Sequence, residues 1–205
     1  MKNRSVVFTT IAIVIVILIL GFGIYSVLSP FRTVTSDVVF NFKDDNLKID
    51  INGEAEWAPA SNSQKYFSTS TTTSGLTEQS WKIPDIVFVT SENPEENFTS
   101  AVIKLAISNK NTDYPAKVTV SGVAFDQDGR FVSQIVFKNP ITNEEIAKHD
   151  IESSTQQVSQ NIPIATSEND ENAKVIIEIR YQLEKTYSDI EVEQSINVTL
   201  ENVNA

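Results

Sequence analysis

The chain has 205 residues, with 16 Lys and Arg against 27 Asp and Glu, one His and no Cys, for a net charge of −11 at neutral pH. An acidic chain without Lys and Arg clusters excludes nucleic-acid binding driven by counterion release. The missing thiols exclude disulfide scaffolds, cysteine-ligated zinc, iron–sulfur clusters and thiol catalysis.

In chain order, residues 1–5 carry Lys2 and Arg4, and residues 6–28 then run for 23 positions without a charge. About 20 such residues cross the roughly 30 Å of bilayer hydrocarbon. The run is apolar on every face, which suits lipid better than a packed core with one wet side. Val6, Ile11, Ile15, Leu18, Leu20, Ile24 and Leu28 are the residues expected to meet lipid. The basic N-terminus predicts a cytoplasmic tail of residues 1–5 and a domain outside from about residue 33, because positive charge stays inside. A cleaved signal peptide is the competing reading, but its apolar region usually runs about 7–15 residues before a small-residue site. The stretch GFGIYSVLSPFR offers no such site, so an uncleaved anchor is expected. Ser29-Pro30 ends the helix, since proline lacks the next backbone donor and disfavours helix before it.

With Lys2 and Arg4 set aside, 14 basic residues face 27 acidic ones, so the outer part carries −13. Its apolar residues recur with period two, the signature of strands with one buried and one wet face. Nine segments read this way: 38–42, 47–51, 86–89, 102–107, 118–125, 131–137, 158–164, 175–183 and 190–200. Strands of this kind separated by turn residues predict an all-β antiparallel sandwich, in one unit or two small subdomains. A short helix is allowed at 142–151. The Ser/Thr-rich stretch 58–80 is expected to be a polar loop, and the acidic stretches 91–97 and 167–172 are expected to be solvated connectors.

Asp126 and Asp128, with Gly129, stand between two strand patterns. Closely spaced carboxylates make them calcium candidates. The spacing does not follow the EF-hand pattern, in which Gly comes later and a Glu follows five residues on. An Asp-Gly β-hairpin is the preferred expectation. His149, the sole histidine, has no marked nucleophile to serve, so no catalytic residue, metal site or cofactor is predicted. Asn97-Phe98-Thr99 and Asn197-Val198-Thr199 fit the glycosylation sequon. Trp57 and Trp81 bracket the polar loop; exposed, they would bind a partner or sugar, and buried, they would close the core.

Residues 102–136 carry a strand, an Asn- and Pro-containing turn from Asn109 to Pro115, a second strand ending in Phe125, and Asp126 to Gly129. This arrangement resembles the immunoglobulin-like extracytoplasmic domains of bacterial and archaeal surface proteins. The resemblance implies a sandwich and a surface location, and fold alone supplies no function. The expected protein is therefore a single-pass, membrane-anchored subunit that binds another membrane or envelope protein rather than catalysing. Two alternatives are a pilin-like filament subunit and an envelope hydrolase or carbohydrate-binding module.

Overall fold

The computed structural model describes residues 32–57, 65–72, 77–88, 100–167, 169–183 and 190–203. The expected membrane segment with all its lipid-facing residues lies outside these, as do the 91–97 connector and Asn97. Among the described residues no helix is long and apolar enough to cross a membrane.

The protein is an all-β sandwich of two sheets. One sheet has the order β4-β1-β11-β6-β9, from β1 (Arg32–Phe42), β4 (Glu78–Val87), β6 (Ala116–Ser121), β9 (Gln157–Ile162) and β11 (Ile190–Asn202). The other has the order β3-β2-β5-β10-β7-β8, from β2 (Ile49–Trp57), β3 (Lys65–Thr72), β5 (Ser100–Asn109), β7 (Phe131–Lys138), β8 (Glu145–Asp150) and β10 (Lys174–Leu183). The period-two pattern states which face turns inward. Val34, Val38, Phe40 and Phe42 of β1 and Ile196, Val198 and Leu200 of β11 meet Ile103, Leu105 and Ile107 of β5 and Ile177 and Ile179 of β10 in one buried cluster. Non-directional burial of this apolar surface is the main stabilising force.

Four expectations need correction. The 142–151 stretch holds β8 rather than a helix, because its backbone pairs with β7. The 58–80 stretch is not all loop: β3 occupies Lys65–Thr72 and β4 begins at Glu78. The sandwich is not wholly antiparallel, since β1 and β11 pair in parallel from Arg32↔Ile190 to Phe42↔Leu200. Finally, β6 and β7 belong to different sheets, so the Asp126–Gly129 turn is an arch between sheets rather than a hairpin. The strand before it ends at Ser121, not Phe125.

Gly122 begins that arch at φ +71°, and a Cβ there would strike the Ser195 carbonyl oxygen. Only glycine meets both conditions without strain. The arch is tied down by Gln194, whose Oε1 accepts from the Ala124 N–H at 2.7 Å. The same amide donates to Ser36 Oγ and Tyr181 Oη, both at 2.6 Å. One side chain of β11 thus satisfies buried groups on β1, β10 and the arch. Burial pushes the Tyr181 phenol well above its usual range, against the opposing hydrogen bond from Gln194.

Because β1 and β11 run in parallel, the sandwich has a polarity. Arg32, Ile190 and Leu183 lie at one end. The connections 43–48, 110–115, 139–144 and 163–173, with Val203, lie at the other. An eleven-residue strand separates the two ends by about 35 Å.

Candidate interaction surface

The far end is organised by two buried asparagines. Asn109 donates through Nδ2 to the Tyr114 and Pro163 carbonyls at 3.0 and 2.9 Å, and its Oδ1 accepts from the Asn111 N–H. Asn111 Oδ1 accepts from the Asp113 N–H, and its backbone carbonyl accepts from Ala165. Asn111 Nδ2 donates to the Asn46 carbonyl at 3.4 Å, so the connections 43–48, 110–115 and 163–173 are all held by amide side chains that mimic backbone turns. Asp44 Oδ2 accepts from the Asn202 N–H at 2.6 Å and ties in a fourth strand end.

The 139–144 turn is built independently. Asn139 Oδ1 accepts from the N–H groups of Ile141 and Thr142 at 2.8 and 3.1 Å. The Asn139 N–H donates to the Glu144 carbonyl at 2.9 Å, and Asn143 adopts φ +58°, a left-handed conformation that asparagine tolerates. The turn holds Ile141 out with 59% of its surface exposed. Ile146 is the extra residue where the register slips between Phe137↔Ala147 and Lys138↔Glu145. A bulge re-aims a side chain, and Ile146 is half exposed. The two isoleucines, Pro140, Pro163 and Val175 share the lining of a cleft of about 190 Å³ with the polar side chains of Asn139, Gln160, Asn161, Glu171, Asn172 and Lys174, between β8 and β9, the edge strands of the two sheets among the described residues. Ile164 and Tyr114, in the 163–173 and 110–115 connections, are also exposed at the same end.

Charged groups along the outer face of β10 and in the loops beside it are held in local networks. Glu178 bridges Lys138 Nζ at 3.0 Å and Arg180 Nη2 at 2.7 Å, and Arg180 Nη1 also meets Glu145 at 3.0 Å. Burial raises the Glu178 carboxyl, but hydrogen bonds and charge from Lys138 and Arg180 outweigh it and hold the group below its ordinary value. Lys174 is taken by Glu171. Among the described residues, Asp170 receives uncharged donors, Thr166 N and Oγ1 and Asn172 N and Nδ2. They hold its carboxyl far below the usual range. A single 3₁₀ turn, Glu171–Ala173, follows with Asp170 as its cap.

The predicted site residues fall elsewhere. Trp81 is buried rather than partner-facing, packed edge-on against Phe40 with ring centroids 4.4 Å apart. Its ring fills the space above Gly53, where any Cβ would overlap it. The Trp57 backbone pairs with Ala101, and its side chain lies outside the described residues. Asp126 accepts from the Arg130 guanidinium at 2.7 Å (Nη2) and 3.0 Å (Nε), and from the Arg130 N–H. The arginine hydrogen bond lowers its carboxyl. Asp128 lies 3.8 Å from the same guanidinium, so both aspartates turn to one cation that the chain itself supplies. His149 meets the edge of Phe137 with centroids 6.3 Å apart. Asn197 and Thr199 stand on the outer face of β11, where Asn197 Nδ2 donates to the Ser195 carbonyl.

No family profile matches this sequence, and no curated protein does. In structure the chain is similar, at a TM-score of 0.25, to the full-length major pilin SpaD of Corynebacterium diphtheriae, with 8% identity over 84% of this chain and 65% of that one. It is similar at 0.23 to a point mutant of the major pilin of Streptococcus pyogenes, with 8% identity over 82% of this chain and 47% of that one. Broad bean stain virus gives 0.20, with 9% identity over 78% and 90%. The chain thus spans about half of one pilin and about two thirds of the other. Likenesses this distant carry no functional inference.

Proposed function

We propose that this is a single-pass, membrane-anchored protein whose immunoglobulin-like sandwich stands outside the membrane and binds another membrane or envelope protein, without catalysis. The observation that carries the reading is the polarity of the sandwich. Arg32 follows Leu28 by four residues, a reach of at most about 14 Å. The opposite end, about 35 Å away, carries the amide-braced loops with exposed Tyr114, Ile141, Ile146 and Ile164. Rigid loops with apolar side chains at the end remote from a tether suit contact with a partner, because little ordering entropy opposes docking.

The test is extraction of the full chain in mild detergent, followed by size exclusion and mass analysis. A second protein at near-stoichiometric amount supports the reading. A lone monomer with nothing co-purifying overturns it.

A further inference from the structure

We infer that β1 and β11 form a mechanical clamp, so that the sandwich carries tension between its membrane tether and whatever holds its far end. The inference rests on the reading of residues 6–28 as a tether and adds a load-bearing role to it.

Topology sets the path of the load. β1 is the first strand after the apolar run, so a pull from the membrane enters the sandwich at Arg32. β11 is the last strand and reaches the far end at Asn202. The far-end connections are fastened to the same place. The Lys43 N–H donates to the Leu200 carbonyl at 2.9 Å, and the Val203 N–H donates to the Pro115 carbonyl at 2.8 Å. Asp44 Oδ2 accepts from the Asn202 N–H at 2.6 Å. A pull on the 43–48 or 110–115 connection is therefore shared with β11. Because β1 and β11 are direct neighbours in the sheet, load crosses from one to the other and bypasses the strands between them in sequence.

Direction decides how that load is borne. Two parallel strands pulled from opposite ends slide along each other, so the bonds that cross between them are strained together. The ladder runs over eleven register pairs, from Arg32↔Ile190 to Phe42↔Leu200, and parallel bonds are evenly spaced. An antiparallel β11 would set the two loaded ends side by side, and the bonds would open one after another. This is the one parallel pairing among the described residues. Parallel pairing is slightly weaker per residue, so its gain lies in direction rather than in equilibrium strength.

Sliding is opposed on every side of β1. β4 holds its other edge from Thr33 to Asn41, while β6 holds the other edge of β11 from Asn197 to Asn202. Gln194 Nε2 pins the ladder by donating to Ser36 Oγ at 2.6 Å. Val34, Val38, Phe40 and Phe42 are buried and would have to leave the core as β1 moves, which exposes apolar surface to water. Ladder, edges and core thus give way in one event.

The test is single-molecule pulling on the full chain in detergent. The chain has no cysteine, so two introduced thiols alone take the handles. Arg32→Cys with Val203→Cys loads the ladder along the strands. Arg32→Cys with Ile190→Cys, a register pair at one end, peels the same ladder open. Forced unfolding follows the unfolding barrier, so the first pair should rupture at about twofold higher force or more at equal pulling speed, in a single step. A second peeling pair, Thr33→Cys with Glu191→Cys, should rupture at the same low force, which excludes a folding defect at position 190 as the cause. Rupture of either peeling pair at the force of the first pair overturns the clamp. Stepwise lengthening between positions 32 and 203 before the main rupture also overturns it, because other parts would then have yielded first. If a partner co-purifies but the two directions rupture alike, the clamp falls and the proposed function stands. If the direction dependence holds and no partner co-purifies, the proposed function falls alone.

Discussion

Replacing Gly53 by alanine tests the packing of the sandwich at its tightest point. A Cβ on Gly53 would overlap Trp81 Cζ3 and lie 3.0 Å from Cε3 and 3.4 Å from Cη2. The indole is 6% exposed and backed by Phe40, so it cannot swing into solvent. Overpacking of this kind costs about 1–3 kcal/mol, and the stiffer alanine returns about 0.5–1 kcal/mol in the strand. A net loss of about 1–2 kcal/mol follows. With a urea slope of about 2 kcal/mol per molar, the midpoint of the detergent-solubilised chain, followed by circular dichroism, should fall by about 0.5–1 M. In a Trp81→Leu background, which removes the obstructing ring, Gly53→Ala should cost nothing or stabilise. Additivity of the two changes within about 0.5 kcal/mol would refute the reasoning, because residues that do not touch add and residues that do couple.

Gln194→Leu strips a partner from buried Ser36, Tyr181 and Ala124 N–H together. At about 1–3 kcal/mol per orphaned group, the same urea titration should register a loss of at least about 3 kcal/mol. Asn109→Ala should accelerate hydrogen exchange in residues 110–115 and 163–167 while β10 stays protected, because the side chain holds both connections; uniform acceleration would mean global destabilisation instead. Asp126 and Glu178 have folded pKa values below their ordinary ones. The stability they contribute is therefore fully present above about pH 4.5 and lost as pH falls through the folded values. The urea midpoint should hold between about pH 7 and 5 and then drop, and Asp126→Asn should flatten that acid limb.

Strands with one apolar face were legible because alternation alone states which side is buried: 175–183 and β10 (Lys174–Leu183) nearly coincide. β3 was illegible because KYFSTSTT lacks apolar alternation, and its pairing is dictated by β2. β8 was missed because an edge strand with one paired side can carry EIAKHD, exposed at four of six positions. An Asp-x-Asp-Gly turn announces a reversal but not whether the next strand rejoins the same sheet; the arch depends on Gly122 passing over Ser195. The parallel pairing of β1 with β11 joins residues about 158 apart in sequence, and no local pattern encodes it. At the far end, the Asn109 and Asn111 pair was visible only as turn composition. Two asparagines spaced by two before Asp113 was the available sign of side chains standing in for backbone. The bulge that exposes Ile146 leaves no mark in one sequence.

The central claim is that residues 6–28 tether an outward-facing domain. The chain has no cysteine, so one introduced thiol reports alone. Asn3→Cys and Thr142→Cys, expressed separately in intact cells, should be treated with a membrane-impermeant maleimide before and after lysis. The account predicts that the thiol at position 142 labels in intact cells and the thiol at position 3 only after lysis, both in the membrane fraction. Labelling of position 3 but not 142 in intact cells, or recovery of the chain outside the membrane fraction, contradicts it.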